Sequence, residues 1–111
     1  MHKYKIEGGI PIRGTIAASG NKNAALPCIA ACLLTEEPVI LRNIPSIEDT
    51  NVMLLILQSL GASVERIGLH AWKICTANVN RSDIPAELSK KIRASILFAG
   101  PLVARTGKAI M

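Results

Sequence analysis

The stretch Ser19-Gly20-Asn21-Lys22-Asn23-Ala24-Ala25, followed by the apolar run to Leu34, constrains the fold more than any other part of the chain. A glycine lets the backbone turn, an asparagine caps, and a run rich in Ala, Leu and Ile continues as a helix. Pro27 cannot donate its backbone N–H, so it is cheapest near a helix start. The helix therefore begins around Asn23 or Ala24, with Asn21 or Asn23 as its cap. With little polar surface to offer water, it is expected to be mostly buried. A helix entered through such a turn presents unpaired N–H groups and partial positive charge at its start. Lys22 adds a full charge there, and the Asn23 amide both donates and accepts. This arrangement suits a carboxylate or phosphate. An ordinary capped helix with a surface lysine explains the same residues.

The remaining elements follow from local punctuation. Tyr4–Glu7 and Arg13–Ala18 alternate and end at Gly8-Gly9 and Ser19-Gly20, which reads as two strands. Pro38–Arg42 is β-rich. Ser46 with an acid three residues on, Asp49, resembles a capping box opening a helix that runs to about Leu60 and stops at Gly61. Val64–Ile67 and Trp72–Ala77 form a hairpin joined through Gly68. Pro85 opens a helical run from about Ala86 to Arg105, with a break expected near Gly100-Pro101; Gly107 ends it and Lys108–Met111 begins a further strand. The order ββ-α-β-α-ββ-α makes this an α/β chain.

Composition removes several classes. Half of the 111 residues are apolar, which argues against disorder, and only Tyr4, Trp72 and Phe98 are aromatic, so the core is aliphatic. Three scattered aromatics make a poor stacking platform for nucleic acid, although a net charge of +5 fits either a polynucleotide or a small phosphorylated ligand. Cys28, Cys32 and Cys75 match no zinc or redox spacing, and His2 and His70 lack partners at ligand spacing, so no metal or cofactor is expected. Cys28 and Cys32 are read as small core residues of a reduced, cytoplasmic protein. No Rossmann fingerprint or Walker A loop is present, and no targeting or membrane segment is visible.

A second cationic motif is Lys90-Lys91-Ile92-Arg93-Ala94-Ser95. On a continuous helix Lys90 and Arg93 share one side, and Lys91 and Ser95 share another. Arginine suits bidentate contact with phosphate or carboxylate, while a polar stripe on an amphipathic helix is the plainer explanation.

Several segments together carry a family resemblance. Ser19-Gly20-Asn21-Lys22-Asn23-Ala24-Ala25-Leu26-Pro27, Pro38-Val39-Ile40-Leu41-Arg42-Asn43-Ile44-Pro45, Leu57-Gln58-Ser59-Leu60-Gly61-Ala62, Arg93-Ala94-Ser95-Ile96 and Gly100-Pro101-Leu102-Val103-Ala104-Arg105 resemble, in order and register, the N-terminal quarter of the UDP-N-acetylglucosamine enolpyruvyl transferases. The resemblance implies βαβαββ units of an inside-out α/β barrel. Residues 1–21 would pack with the other domain, and 22–111 would form part of the first. It implies transfer of the enolpyruvyl group of phosphoenolpyruvate to the 3-hydroxyl of UDP-N-acetylglucosamine, a step of peptidoglycan precursor synthesis that needs no cofactor. Lys22 and Asn23 would hold phosphoenolpyruvate and Arg93 the UDP-sugar. Asp49 matches an acid of the family, although a helix-cap role explains it equally well. The family's general acid, Cys or Asp in a Pro-Gly-Gly loop, would follow Met111, so no catalytic acid is expected within the chain. A non-catalytic α/β binding module, a fragment of a related enolpyruvyl transferase and a small basic RNA-binding domain are the competing readings, and exposed strand edges favour self-association.

Overall fold

The computed structural model describes residues 2–111. Its elements are α1 (Lys22–Ala31), which tightens into a 3-10 turn at Cys32–Leu34, then β1 (Val39–Leu41), α2 (Glu48–Ser59), β2 (Ser63–Gly68) and β3 (Ala71–Cys75). A short α3 (Ala86–Ser89), a 3-10 segment at Arg93–Phe98 and α4 (Ala99–Thr106) complete it. The three strands form one antiparallel sheet in the order β1-β3-β2. The sequence α1-β1-α2-β2-β3 is a βαβαββ unit without its first strand, consistent with the expected α/β class.

The core lies between the sheet and the helices. Ile29, Leu33, Met53, Ile56, Leu57, Leu60, Ile74, Phe98 and Leu102 are fully buried, and Val39, Leu41, Val64 and Trp72 pack against that cluster from the sheet side. Only one face of α1 is enclosed. Ala25, Leu26, Ile29 and Ala30 are buried, whereas Ala24, Pro27, Cys28 and Ala31 are exposed, so the expectation of a mostly buried helix holds for half of it. The reading of Cys28 as a core residue is likewise corrected: it faces out, and Cys32, one turn on, faces in. Burial, reinforced by the nearby Cys28, pushes the Cys32 thiol up from 9.0 to about 11.

The two N-terminal strands do not form. Residues 2–20 join no ladder, and Tyr4, Ile6, Ile10, Ile12 and Ile16 are all exposed. A period-two pattern prepares a segment for a sheet but supplies no partner, and none lies within reach here. This arm carries the radius of gyration to 17.5 Å, where a compact chain of this length has about 13 Å.

The helix expected from Ala86 to Arg105 is broken at Lys90–Ile92 rather than at Gly100-Pro101. Ile92 adopts an extended conformation, φ −140° and ψ 141°, and enters the core. Pro101 falls in the first turn of α4, where a missing N–H breaks no intrahelical bond. Lys90 and Arg93, and Lys91 and Ser95, therefore do not share helical faces. The Ser95 hydroxyl is instead buried and lies within hydrogen-bond distance of the Ser89 and Ile92 carbonyls.

The caps are partly as expected. Asn21 caps α1, its side-chain oxygen accepting from the Asn23 N–H at 2.7 Å. Ser46 does not cap α2. Ile47 holds the N-cap position, and Thr50 secures the turn: its hydroxyl donates to the Pro45 carbonyl at 2.7 Å and accepts from the Ile47 N–H at 3.4 Å. Gly61 follows α2 with φ 107°, and a Cβ there would meet the Asn78 carbonyl oxygen at 2.9 Å. Lys108–Met111 is not a full strand; Ile110 makes one parallel bridge beside Asp83. Among the described residues no helix is long and apolar enough to cross a membrane.

One polar knot ties the last helix to the rest. The Arg105 guanidinium donates to the Leu33 carbonyl and to both the hydroxyl and the carbonyl of Thr76. The Thr76 hydroxyl, 1% exposed as a residue, lies within hydrogen-bond distance of the Cys32 and Thr35 carbonyls. Replacing Thr76 by Val keeps the shape and strips the hydroxyl from this knot. The expected cost is about 1–3 kcal/mol in denaturant unfolding, because buried groups lose their partner; an unchanged midpoint would mean the knot contributes nothing.

The cysteines give a second test. A thiol reagent should label Cys28 rapidly and leave Cys32 unreacted until unfolding. Between the ordinary thiol value of 9.0 and about 11, the native state keeps the Cys32 proton that the unfolded chain has released. Stability therefore falls as pH rises through that window. Cys32→Ala should flatten the dependence when unfolding midpoints are compared on either side of it.

Candidate functional site

The local fold brings the two cationic motifs together. Gly20 makes the entry to α1 possible by lying against the backbone of Asn43: a Cβ at Gly20 would stand 1.9 Å from the Asn43 carbonyl oxygen. Asn43 itself has φ 59°, and its side-chain amide donates to the Ala18 carbonyl at 3.3 Å. The chain thus crosses the end of β1 and turns straight into α1.

Lys22 is the first residue of that helix, whose first turn contains no acid. A cation there is unfavourable against the helix dipole, so the position is costly unless an anion is nearby. The acid is supplied by the neighbouring helix. Asp49, in the first turn of α2, places Oδ2 3.4 Å from Lys22 Nζ, with both side chains part-exposed. The starts of α1 and α2 therefore lie side by side, and Asp49 faces both its own helix dipole and Lys22.

Lys22 and Asp49 form one wall of an open cleft of about 420 Å³. Leu26 and Ile92 contribute apolar lining, Lys91 comes from the break between α3 and the 3-10 segment, and Arg93 and Ala94 begin that segment. The cleft gathers three cations and one carboxylate from segments about seventy residues apart. Such an arrangement binds a small polyanion. Neither Lys91 nor Arg93 has an acidic partner among the described residues.

Of the residues singled out in the sequence, Lys22, Asp49 and Arg93 meet in this cleft. Asn23 lies beside it at the second position of α1, exposed, with its N–H bound to Asn21 and its side-chain amide unbonded among the described residues. Lys91 was placed on the wrong face by helical spacing. The signal that would have found it is the alternation Lys91-Ile92-Arg93, polar-apolar-polar, which is the pattern of an extended segment. No cysteine lines this cleft; Cys28 faces a neighbouring one of about 330 Å³ with Arg42 and Asn43.

Comparison with known proteins places the chain in a family. Residues 6–111 match the family model for EPSP synthase (3-phosphoshikimate 1-carboxyvinyltransferase). The UDP-N-acetylglucosamine 1-carboxyvinyltransferase of Treponema denticola is 60% identical over all 111 residues, which cover 26% of that protein. The enzyme of the same name from Treponema pallidum is 53% identical over the same span and covered to the same extent. Among solved structures, the enolpyruvyl transferase NikO from Streptomyces tendae matches with a TM-score of 0.75 and 29% identity, across 90% of this chain and 23% of its own. The chain thus spans about a quarter of the length of these relatives. With a family model matched over nearly its whole length and a shared fold, the chain belongs to the EPSP synthase family of enolpyruvyl transferases.

Proposed function

We propose that this chain forms the anion-binding part of an enzyme that transfers the enolpyruvyl group of phosphoenolpyruvate to the 3-hydroxyl of UDP-N-acetylglucosamine. The observation that carries the proposal is the cleft in which Lys22, at the start of α1, faces Arg93 from a distant segment. The 60% identity to a transferase of that name supports the choice of acceptor. Both substrates are polyanions. Their reaction passes through a tetrahedral adduct that bears phosphate and carboxylate, and preorganised cations favour that adduct. Lys22 and Asn23 take phosphoenolpyruvate, and Arg93 takes the UDP-sugar. The reaction belongs to peptidoglycan precursor synthesis in the cytoplasm, where three free thiols are compatible with a reducing environment.

A proton must reach the methylene carbon of phosphoenolpyruvate, and the cleft offers no suitable acid. Asp49 is engaged with Lys22, and no cysteine lines the cleft. The general acid therefore comes from a part of the enzyme outside these residues. The exposed, alternating arm supports a division of labour within the chain: residues 1–21 complete a sheet of another domain, and 22–111 belong to the first.

In a full-length transferase containing this sequence, Lys22→Gln should lower kcat/KM by about a hundredfold or more, the scale of losing a charge that stabilises an oxyanion. Activity within a few fold of the parent would contradict the assignment. The isolated 111 residues should release no phosphate from the two substrates; steady turnover by them would remove the argument for an acid supplied from elsewhere.

A further inference from the structure

Lys91 is the cation in the cleft that the family reading leaves without a role. The break in the chain explains why it is there. Ile92 is extended and buried, so its neighbours on either side, Lys91 and Arg93, emerge on the opposite face of the segment. Across the one extended residue, its two neighbours stand about 6.6 Å apart along the backbone. Both line the cleft, and Lys90 does not. The two walls differ in charge. Lys22 is matched by Asp49, so that wall is close to neutral. Lys91 and Arg93 have no acid within ion-pairing distance among the described residues, so theirs carries two unbalanced positive charges. Both residues are also exposed, so a ligand in the cleft can reach them from solvent.

We propose that Lys91 acts with Arg93 as a paired clamp for a diphosphate group, and so sets the affinity for a nucleotide-diphosphate ligand rather than for the smaller carboxylated phosphate. This rests on the proposed transfer reaction for the identity of the second substrate, UDP-N-acetylglucosamine. The burial of Ile92 holds the clamp open, because any return of the segment to helix would rotate Lys91 away from Arg93.

The test is direct binding, measured by calorimetry in a full-length transferase containing this sequence, with turnover measured separately. Lys91→Gln should weaken binding of UDP-N-acetylglucosamine by about three- to fivefold, the upper part of the scale for one exposed charge contact. Binding of phosphoenolpyruvate should change by less than about twofold. Lys91→Arg should restore the UDP-sugar affinity, and Lys90→Gln should match the parent. Equal weakening of both ligands, or parent-like UDP-sugar binding by Lys91→Gln, would overturn the clamp. If the parent binds the UDP-sugar in a Lys91-dependent way but transfers nothing, the clamp stands and the transfer reading fails. If the parent turns over and Lys91→Gln binds as the parent does, the clamp fails and the reading stands.

Discussion

The packing of α1 on α2 is the interaction on which the rest of the structure depends. Ile29 and Leu33 on one side and Met53, Ile56, Leu57 and Leu60 on the other are completely shielded from water. Burial of each such side chain contributes about 1.5–3 kcal/mol, and together they fix the two helices with their N-terminal ends adjacent. That adjacency puts Lys22 within 3.4 Å of Asp49. The sheet covers the other side of the same core, and the Arg105–Thr76 knot locks α4 against the turn that follows α1. The Lys22–Asp49 side of the cationic cleft is therefore a consequence of helix packing.

Burial of a single isoleucine then completes the cleft. A run from Ala86 to Arg105 favours helix on local grounds, but Ile92 gains more by entering the core beside Leu26 than the helix gains by continuing. The result is an extended residue between two short helical pieces, with cations on both sides of it. The energetic gain lies in the core, while the functional effect appears at the surface. For this reason a substitution at Ile92 would be expected to disturb the charged cleft as well as stability.

What was legible in the sequence was whatever local chemistry decides. Asn21 as a cap and Gly61 and Gly107 as helix stops follow from backbone preferences of single residues, and the β2–β3 hairpin follows from two β-rich runs separated by a short turn. Lys22 was recognisable because it adds a full charge to the partial positive charge of a helix start, which suits an anion. The features that were not legible depend on distant partners. Tyr4, Ile6, Ile10, Ile12 and Ile16 alternate as a strand does, but pairing requires a second strand that the local pattern cannot supply. Thr50 displaced Ser46 as the organiser of α2 because the Pro45 carbonyl turns back toward it. Lys91 was hidden by the helical reading of its segment and became visible only with the extended conformation of Ile92.

The central claim is that two separate motifs form one anion site. It is tested most directly by a double-mutant cycle on Lys22 and Arg93, with substrate affinity and kcat/KM measured in a full-length transferase containing this sequence. If both residues act on the same bound anion, the effects of Lys22→Gln and Arg93→Gln should be coupled by about 0.5 kcal/mol or more. Effects that simply add, within about 0.3 kcal/mol, would mean that the two residues serve independent sites and that the cleft is not the functional unit described here.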